Sequence, residues 1–253
     1  MSTTPSAREE PAGQDDVPTL ELADWQHRFG ITAGITTRAH GYNLGLLTPE
    51  AAGDVTERWR AFATAMRPRF PSIVVGLQVH GHAVATHDNV PPGWLIRESV
   101  DGHVTGQAGL LLCVSVADCV PVYLAHPASG TLALLHAGWR GVAAGMLEAG
   151  LAALQRVSGA PISELVMHCG VAICGSCYEV GSEVLRMLAG TAANGPGLLD
   201  LRDHLAGRAR AAGVEAVSIS PWCSAHHQDR FFSHRRSAGA DGRMVAYLGR
   251  PIA

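Results

Sequence analysis

Between residues 110 and 136 the chain carries three apolar runs, 110–116, 120–125 and 131–136, with only a few residues between one and the next. Each is too short for a helix and is bounded by Asp, Pro or Gly, so each reads as a buried strand, and together they predict the centre of a sheet. Gly138 to Gly141 then makes a turn into 142–157, whose Ala/Leu/Met-rich pattern predicts a helix. Further strands are expected at 31–36, 73–79, 165–171 and 216–219, and further helices at 55–66, 179–188 and 199–212. Residues 88–93, with two prolines and an Asn, read as a loop. Closely spaced strands followed by helices argue for an α/β (α+β) fold, a mixed sheet flanked by helices.

At 253 residues and 47% hydrophobic content the chain can bury one substantial core. Residues 1–18 are rich in Ser, Thr, Pro, Gly, Asp and Glu, with no apolar run. They are expected to form a disordered tail, neither signal peptide nor anchor. That leaves 19–253 as a single catalytic domain. A net charge of -3 gives no basic field for nucleic acid or an acidic membrane surface. No stretch reaches a membrane span, and six cysteines in a long chain without export signals suit reduced thiols in the cytoplasm. All nineteen cationic side chains are arginine. Without lysine there is no Schiff base and no P-loop lysine, so an anion must be held by arginines, backbone amides or a metal.

Three segments put a metal-capable side chain at the end of an expected strand: Gln78-Val79-His80, Ala117-Asp118-Cys119 and His136-Ala137-Gly138-Trp139-Arg140-Gly141. Strand ends in one sheet can converge, and two imidazoles with one thiolate suit a zinc that keeps a fourth position open. A His or Cys beside an apolar run is also a common packed core residue, and this is no zinc-finger spacing. Arg140, in the Gly-bounded turn that opens a helix, is a candidate anion clamp, or else a turn residue reaching solvent. Arg38 is a second anion candidate. Asp118 is either a carboxylate that orients a ligand imidazole or a substrate hydroxyl, or a turn residue that closes the strand. Arg235 and Arg236 read as site-lining or solvated. Cys174 and Cys177 form a Cys-x-x-Cys pair that invites a redox or structural-zinc reading. Neither is adopted, because no thioredoxin context and no second such pair accompanies it. Cys113, Cys169 and Cys223 read as structural, and His226-His227 as an exposed loop.

These segments, with Thr36-Thr37-Arg38, Cys177-Tyr178-Glu179-Val180-Gly181 and Phe231-Phe232-Ser233-His234-Arg235-Arg236, occur in an order that resembles the bacterial laccase-domain, or polyphenol oxidase, family, now viewed as purine nucleoside phosphorylases. The resemblance spans roughly residues 27 to 248. It implies that His80, Cys119 and His136 hold zinc or copper; Asp118, next to Cys119, is counted with them as a catalytic candidate on its position. It also implies a sandwich-like mixed α/β fold similar to the cysteine-dependent toxin deamidases. The implied reaction is phosphorolysis of adenosine, inosine, guanosine or methylthioadenosine, with adenosine deaminase side activity. The partners are then a small nucleoside and phosphate; the oligomeric state is left open. Departures from the family pattern fall on the substrate side: Val171 for a proline, Cys174-Gly175-Ser176-Cys177 for a glycine-proline-cysteine-cysteine run, His234 for a tyrosine, and a shortened turn after Arg38. Three other readings compete. One is a copper polyphenol oxidase, weakened because only His80-Gly81-His82 has a His-x-His form. Another is an amidase acting on cell-wall precursors with Cys119 as nucleophile and His136 as base. The last is a zinc-stabilised binding module.

Overall fold

The computed structural model describes residues 7–12, 16–190 and 194–252. In chain order the strands begin with β1 Glu10–Pro11, β2 Thr19–Glu21, β3 Thr32–Thr36, β4 Ser72–Leu77 and β5 Val84–His87. Next come β6 Gly93–Glu98, β7 Gly102–Thr105, β8 Leu110–Val116, β9 Val120–His126 and β10 Thr131–Ala137. The last are β11 Val166–Cys169, β12 Glu179–Val180, β13 Gly197–Leu198, β14 Ala216–Ile219 and β15 Met244–Gly249. The helices are α1 Ala23–Phe29, α2 Ala52–Met66, α3 Trp139–Ala143, α4 Met146–Ser158, α5 Ser182–Ala189 and α6 Leu201–Ala211.

Two large mixed sheets lie face to face, ordered β1-β2-β3-β15-β8-β4-β6 and β14-β11-β9-β10-β7-β5. Both contain parallel pairs, β4 with β8 and β5 with β7 among them, beside antiparallel ones. The period-two alternation of strands sorts the apolar side chains into three layers. Leu110, Leu112 and Val114 of β8 meet Tyr123 and Ala125 of β9 and Leu132 and Leu134 of β10 between the sheets. The alternate residues Leu111 and Cys113 face Val55, Trp59 and Phe62 of α2. On the far side Val122, Leu124 and Leu135 pack on Leu147, Leu151 and Leu154 of α4. Both faces of each central strand are covered, which is why these strands are uniformly apolar rather than alternating. Truncating a leucine such as Leu112, which is fully buried, to alanine costs about 2–5 kcal/mol.

The three apolar runs are strands, but not of one sheet. β8 belongs to the first and β9 and β10 to the second. The chain changes sheets at Asp118, whose φ of 82° is a left-handed turn conformation. The expected helix over 142–157 is two helices, because Gly145 at φ 93° breaks it and α3 begins earlier, at Trp139. Glu179 and Val180, expected to start a helix, form β12, and α5 follows only after extended Gly181. The tail expectation fails where the tail is described. Glu10–Pro11 pairs with β2, and Glu9 is buried against Ser220 and His168, at 2.7 and 3.1 Å. Residues 1–6 and 13–15 lie outside the described residues. Among the described residues no helix is long and apolar enough to cross a membrane.

Candidate metal centre

His136 has the same parity on β10 as Leu132 and Leu134 and so faces the space between the sheets. Cys119 immediately precedes β9, whose Val120 pairs with Ala137, so the two side chains sit at adjacent strand ends. From the other sheet, β4 ends at Leu77 and hands over to Gln78, whose side-chain amide grips the backbone of Ser115 in both directions, at 2.6 and 2.8 Å. That clamp holds the extension of β4 beside β8 and carries His80 across the gap. The ligand atoms of His80, Cys119 and His136 lie within 4.8 Å of one another, and the two imidazoles meet edge to face at 4.8 Å between centroids.

Asp101, just before β7, organises the group and was not singled out by sequence reasoning. Its carboxylate accepts the backbone N–H groups of Val79, His80 and Gly81 at 3.1, 2.9 and 2.9 Å, and pairs with His136 Nδ1 at 2.9 Å. One side chain therefore holds His80 at a φ of 59°, unusual for a residue with a Cβ. It also orients the His136 ring so that Nε2 faces Cys119 and His80. Burial would raise the Asp101 carboxyl, but hydrogen bonds from His136 and the Gly81 and Val79 amides outweigh it and hold the group at about 2. Burial likewise opposes ionisation of Cys119, and the neighbouring imidazoles of His136 and His80 overcome it, so the thiol is more acidic than usual. Burial disfavours a charged His136, yet the Cys119 sulfur and Asp101 raise its basicity. Only an isolated Asp preceding Gly102 and His103 marked Asp101 in the sequence, and nothing there tied it to His136.

The glycines of the 136–141 segment are spatial requirements. A Cβ on Gly138 would come within 3.0 Å of both Cys119 Sγ and His80 Cδ2, and one on Gly141 within 2.5 Å of the Gly81 carbonyl. The 136–141 and 78–81 segments are thus pressed together by residues that leave no room between them.

The three side chains line a cavity of about 640 Å³, within the range of small-molecule sites. Trp139, Arg140, Tyr178, His234, Arg235 and Arg243 line it, together with the 44–48 segment. Arg140 lies over the Trp139 ring at 4.4 Å, and Arg235 over Tyr178 at 5.0 Å while donating to the Glu179 carbonyl at 2.7 Å. Arg38 does not reach the cavity. Its guanidinium is drawn to Asp241 at 3.5 Å and lies over Phe232 at 4.8 Å, which corrects its reading as an anion contact. Arg236 also points elsewhere, donating to the Ala225 carbonyl. Asp118 borders the cavity but orients neither imidazole. Its two carboxylate oxygens accept from Ser224 Oγ at 2.6 Å and the Arg235 amide at 2.7 Å, so it braces the turn, and the orienting role expected of it belongs to Asp101.

Residues 28–251 match the model of the family described as multi-copper polyphenol oxidoreductase laccase. The chain belongs to this family. Within it, the purine nucleoside phosphorylase YlmD of Geobacillus stearothermophilus is 32% identical over 87% of this chain and 90% of that protein. An adenosine deaminase, RL5, from an unknown prokaryotic organism is 30% identical over 87% and 94%. The crystal structure of the Geobacillus stearothermophilus YlmD superposes with a TM-score of 0.86 at 29% identity, covering 96% of this chain and 99% of that one. The mixed sheets flanked by helices are therefore the family's architecture.

Proposed function

We propose that the chain is a purine nucleoside phosphorylase that splits adenosine, inosine, guanosine or methylthioadenosine with phosphate into the free base and ribose 1-phosphate, with adenosine deaminase side activity. The observation that carries this reading is the convergence of His80, Cys119 and His136 in an arginine-walled cavity. The relatives named for phosphorolysis and deamination supply the reaction class. The donor set suits zinc: a thiol made acidic by its neighbours, one imidazole turned Nε2-inward by a carboxylate, and a second imidazole facing both. Three protein donors leave a coordination position for a ligand; two imidazoles and a thiolate also suit copper, but zinc supplies a redox-inert Lewis acid for group transfer. When bound, the ion supplies charge stabilisation at the reacting centre.

The chain's own residues do the rest. With no lysine available, Arg140 is the phosphate clamp, an exposed arginine on the cavity wall whose guanidinium rests over the Trp139 ring. Tyr178 and Trp139 offer flat faces against which a purine stacks. Phosphate attacks C1′ of the ribose as the C1′–N9 bond breaks, the bonding electrons leaving with the base. The arginines hold the attacking anion in line with that bond. Asp101 keeps the His136 proton on Nδ1, and Asp118 fixes the Cys119 turn through Ser224 and Arg235. Residues 19–253 act as one catalytic domain, working on small molecules in the cytoplasm, where the six cysteines, all free, stay reduced.

The test is direct. Zinc-loaded protein with adenosine and phosphate yields adenine and ribose 1-phosphate. Zinc-loaded protein that forms neither product, with or without added phosphate, contradicts the reading.

A further inference from the structure

A second set of soft donors lies outside the cavity. Cys174, Cys177, Cys223 and His226 each turn a ligand atom toward one another, and all four atoms lie within 4.8 Å. His226 Nε2 is 3.1 Å from Cys177 Sγ, and its Nδ1 is 3.7 Å from Cys174 Sγ. The pair and its partners are 49 residues apart in sequence and are brought together by backbone. Ala172 bridges to Cys223 in parallel register, Ser224 N donates to the Ala172 carbonyl at 3.0 Å, and Cys174 N donates to Cys223 Sγ at 3.3 Å. Cys177 N returns to the Cys174 carbonyl at 3.0 Å, closing the tight turn that aims both thiols of a Cys-x-x-Cys pair the same way.

We infer that these four side chains form a structural zinc site of Cys3His type, separate from the cavity centre. Three thiols and an imidazole with no carboxylate among them match a closed tetrahedral zinc, and four protein donors leave no position for a substrate. The segments that carry them are tied down by polar contacts, Gly175 N to Asp200 and Arg202 to the Trp222 carbonyl among them, but have little apolar support. The apolar cluster beneath is only Ile173, Cys223 and Ala225, with the two other cysteines and Tyr178 against it. A metal cross-link replaces the core those loops lack. It also has a consequence for the cavity, because Ile173 and Tyr178 line its wall and Ser224 holds Asp118. The second ion thus fixes the wall against which the first site works.

The experiment counts zinc per chain, by elemental analysis of protein purified without chelator, in the wild type and in a His80→Ala/Cys119→Ala variant that disables the cavity centre. The inference predicts two zinc ions in the former and one in the latter. It further predicts that Cys177→Ser/Cys223→Ser loses one ion, keeps the other, and unfolds at a temperature lower by roughly 5–10 °C. Should that variant fail to fold, cobalt(II) loaded into the His80→Ala/Cys119→Ala protein gives the reading instead. Tetrahedral bands with intense thiolate-to-metal charge transfer support the site. A metal-free His80→Ala/Cys119→Ala protein, a Cys174–Cys177 disulfide found by mass in the purified wild type, or an octahedral cobalt spectrum overturns it.

Discussion

Two clusters of cysteine and histidine lie in one molecule, and they differ in what surrounds them. His80, Cys119 and His136 are delivered by the ends of long, doubly covered strands and oriented by a buried carboxylate, Asp101, in the wall of an open cavity. Cys174, Cys177, Cys223 and His226 sit in loops over a core of three residues, with no carboxylate among the donors, Asp200 being engaged by the Gly175 amide of their turn. As proposed, the first would borrow rigidity from the fold and leave a ligand position vacant, and the second would lend rigidity to the fold and use all its donors. Chemistry is accordingly proposed for the better supported cluster and stability for the other.

Exchanging the two losses breaks that comparison most severely. Cys119→Ala is expected to cut phosphorolysis by roughly three orders of magnitude with little change in unfolding temperature. Cys177→Ser is expected to do the reverse, lowering the unfolding temperature while costing far less activity, measured below it, than Cys119→Ala does. Steady-state assays beside thermal melts of both variants decide it. If Cys177→Ser is the inactive one, the assignment of roles is inverted.

Next in size is Asp101→Asn, which keeps the volume but loses the charge that gathers three amides and His136. Zinc affinity at the cavity centre falls by roughly 10–100-fold, read by competition with a chromophoric chelator, while the second cluster keeps its ion. An unchanged affinity would mean that Asp101 only packs.

Arg140→Ala raises the KM for phosphate by about tenfold, the loss of one charge-assisted contact of about 1.4 kcal/mol. Arg38→Ala, occupied with Asp241, leaves that KM unchanged. Equal effects from both would show that the cavity wall does not select the anion.

The smallest effect is on acid stability, and it concerns the strand that delivers Asp101. His103 on β7 and His87 on β5 are buried and 3.0 Å apart. Burial, with Arg97 and, for His103, His87 nearby, holds their basicity down, to about 4 for His87 and about 3 for His103. The fold thus keeps both neutral, while the unfolded chain takes up protons below about 6.5. Their contribution is complete above 6.5 and is lost as pH falls from there toward about 4 for His87 and about 3 for His103. Melts across that window should show a midpoint dropping with acid, and a His87→Gln/His103→Gln variant a flatter profile. Identical slopes would place the acid sensitivity elsewhere.

The sequence made the first cluster readable and hid the second, for a physical reason. His80, Cys119 and His136 each end an apolar run, and strand ends are what a sheet aligns, so residue type and position pointed the same way. The three apolar runs announced the layers, though not that Asp118 would send β8 and β9 into different sheets. Cys174 and Cys177 were visible as a pair, but their partners Cys223 and His226 come from a distant segment with no periodic pattern, joined by a single bridge that leaves no trace in spacing. Asp101 was missed similarly: its role is made by four contacts from two separate segments. β5, β6 and β7 were missed because edge and polar strands such as 93–98, largely exposed, lack the continuous apolar signal. Arg38 misled because a conspicuous arginine near a strand end says nothing of the aspartate that captures it.

The central claim is that the trio His80, Cys119 and His136 is the reacting centre of a nucleoside phosphorylase. It is tested most directly by following adenosine and phosphate with zinc-loaded wild type and Cys119→Ala side by side, by product chromatography. The account predicts adenine and ribose 1-phosphate in equal amounts from the wild type and essentially none from Cys119→Ala. Equal rates from the two proteins would contradict it.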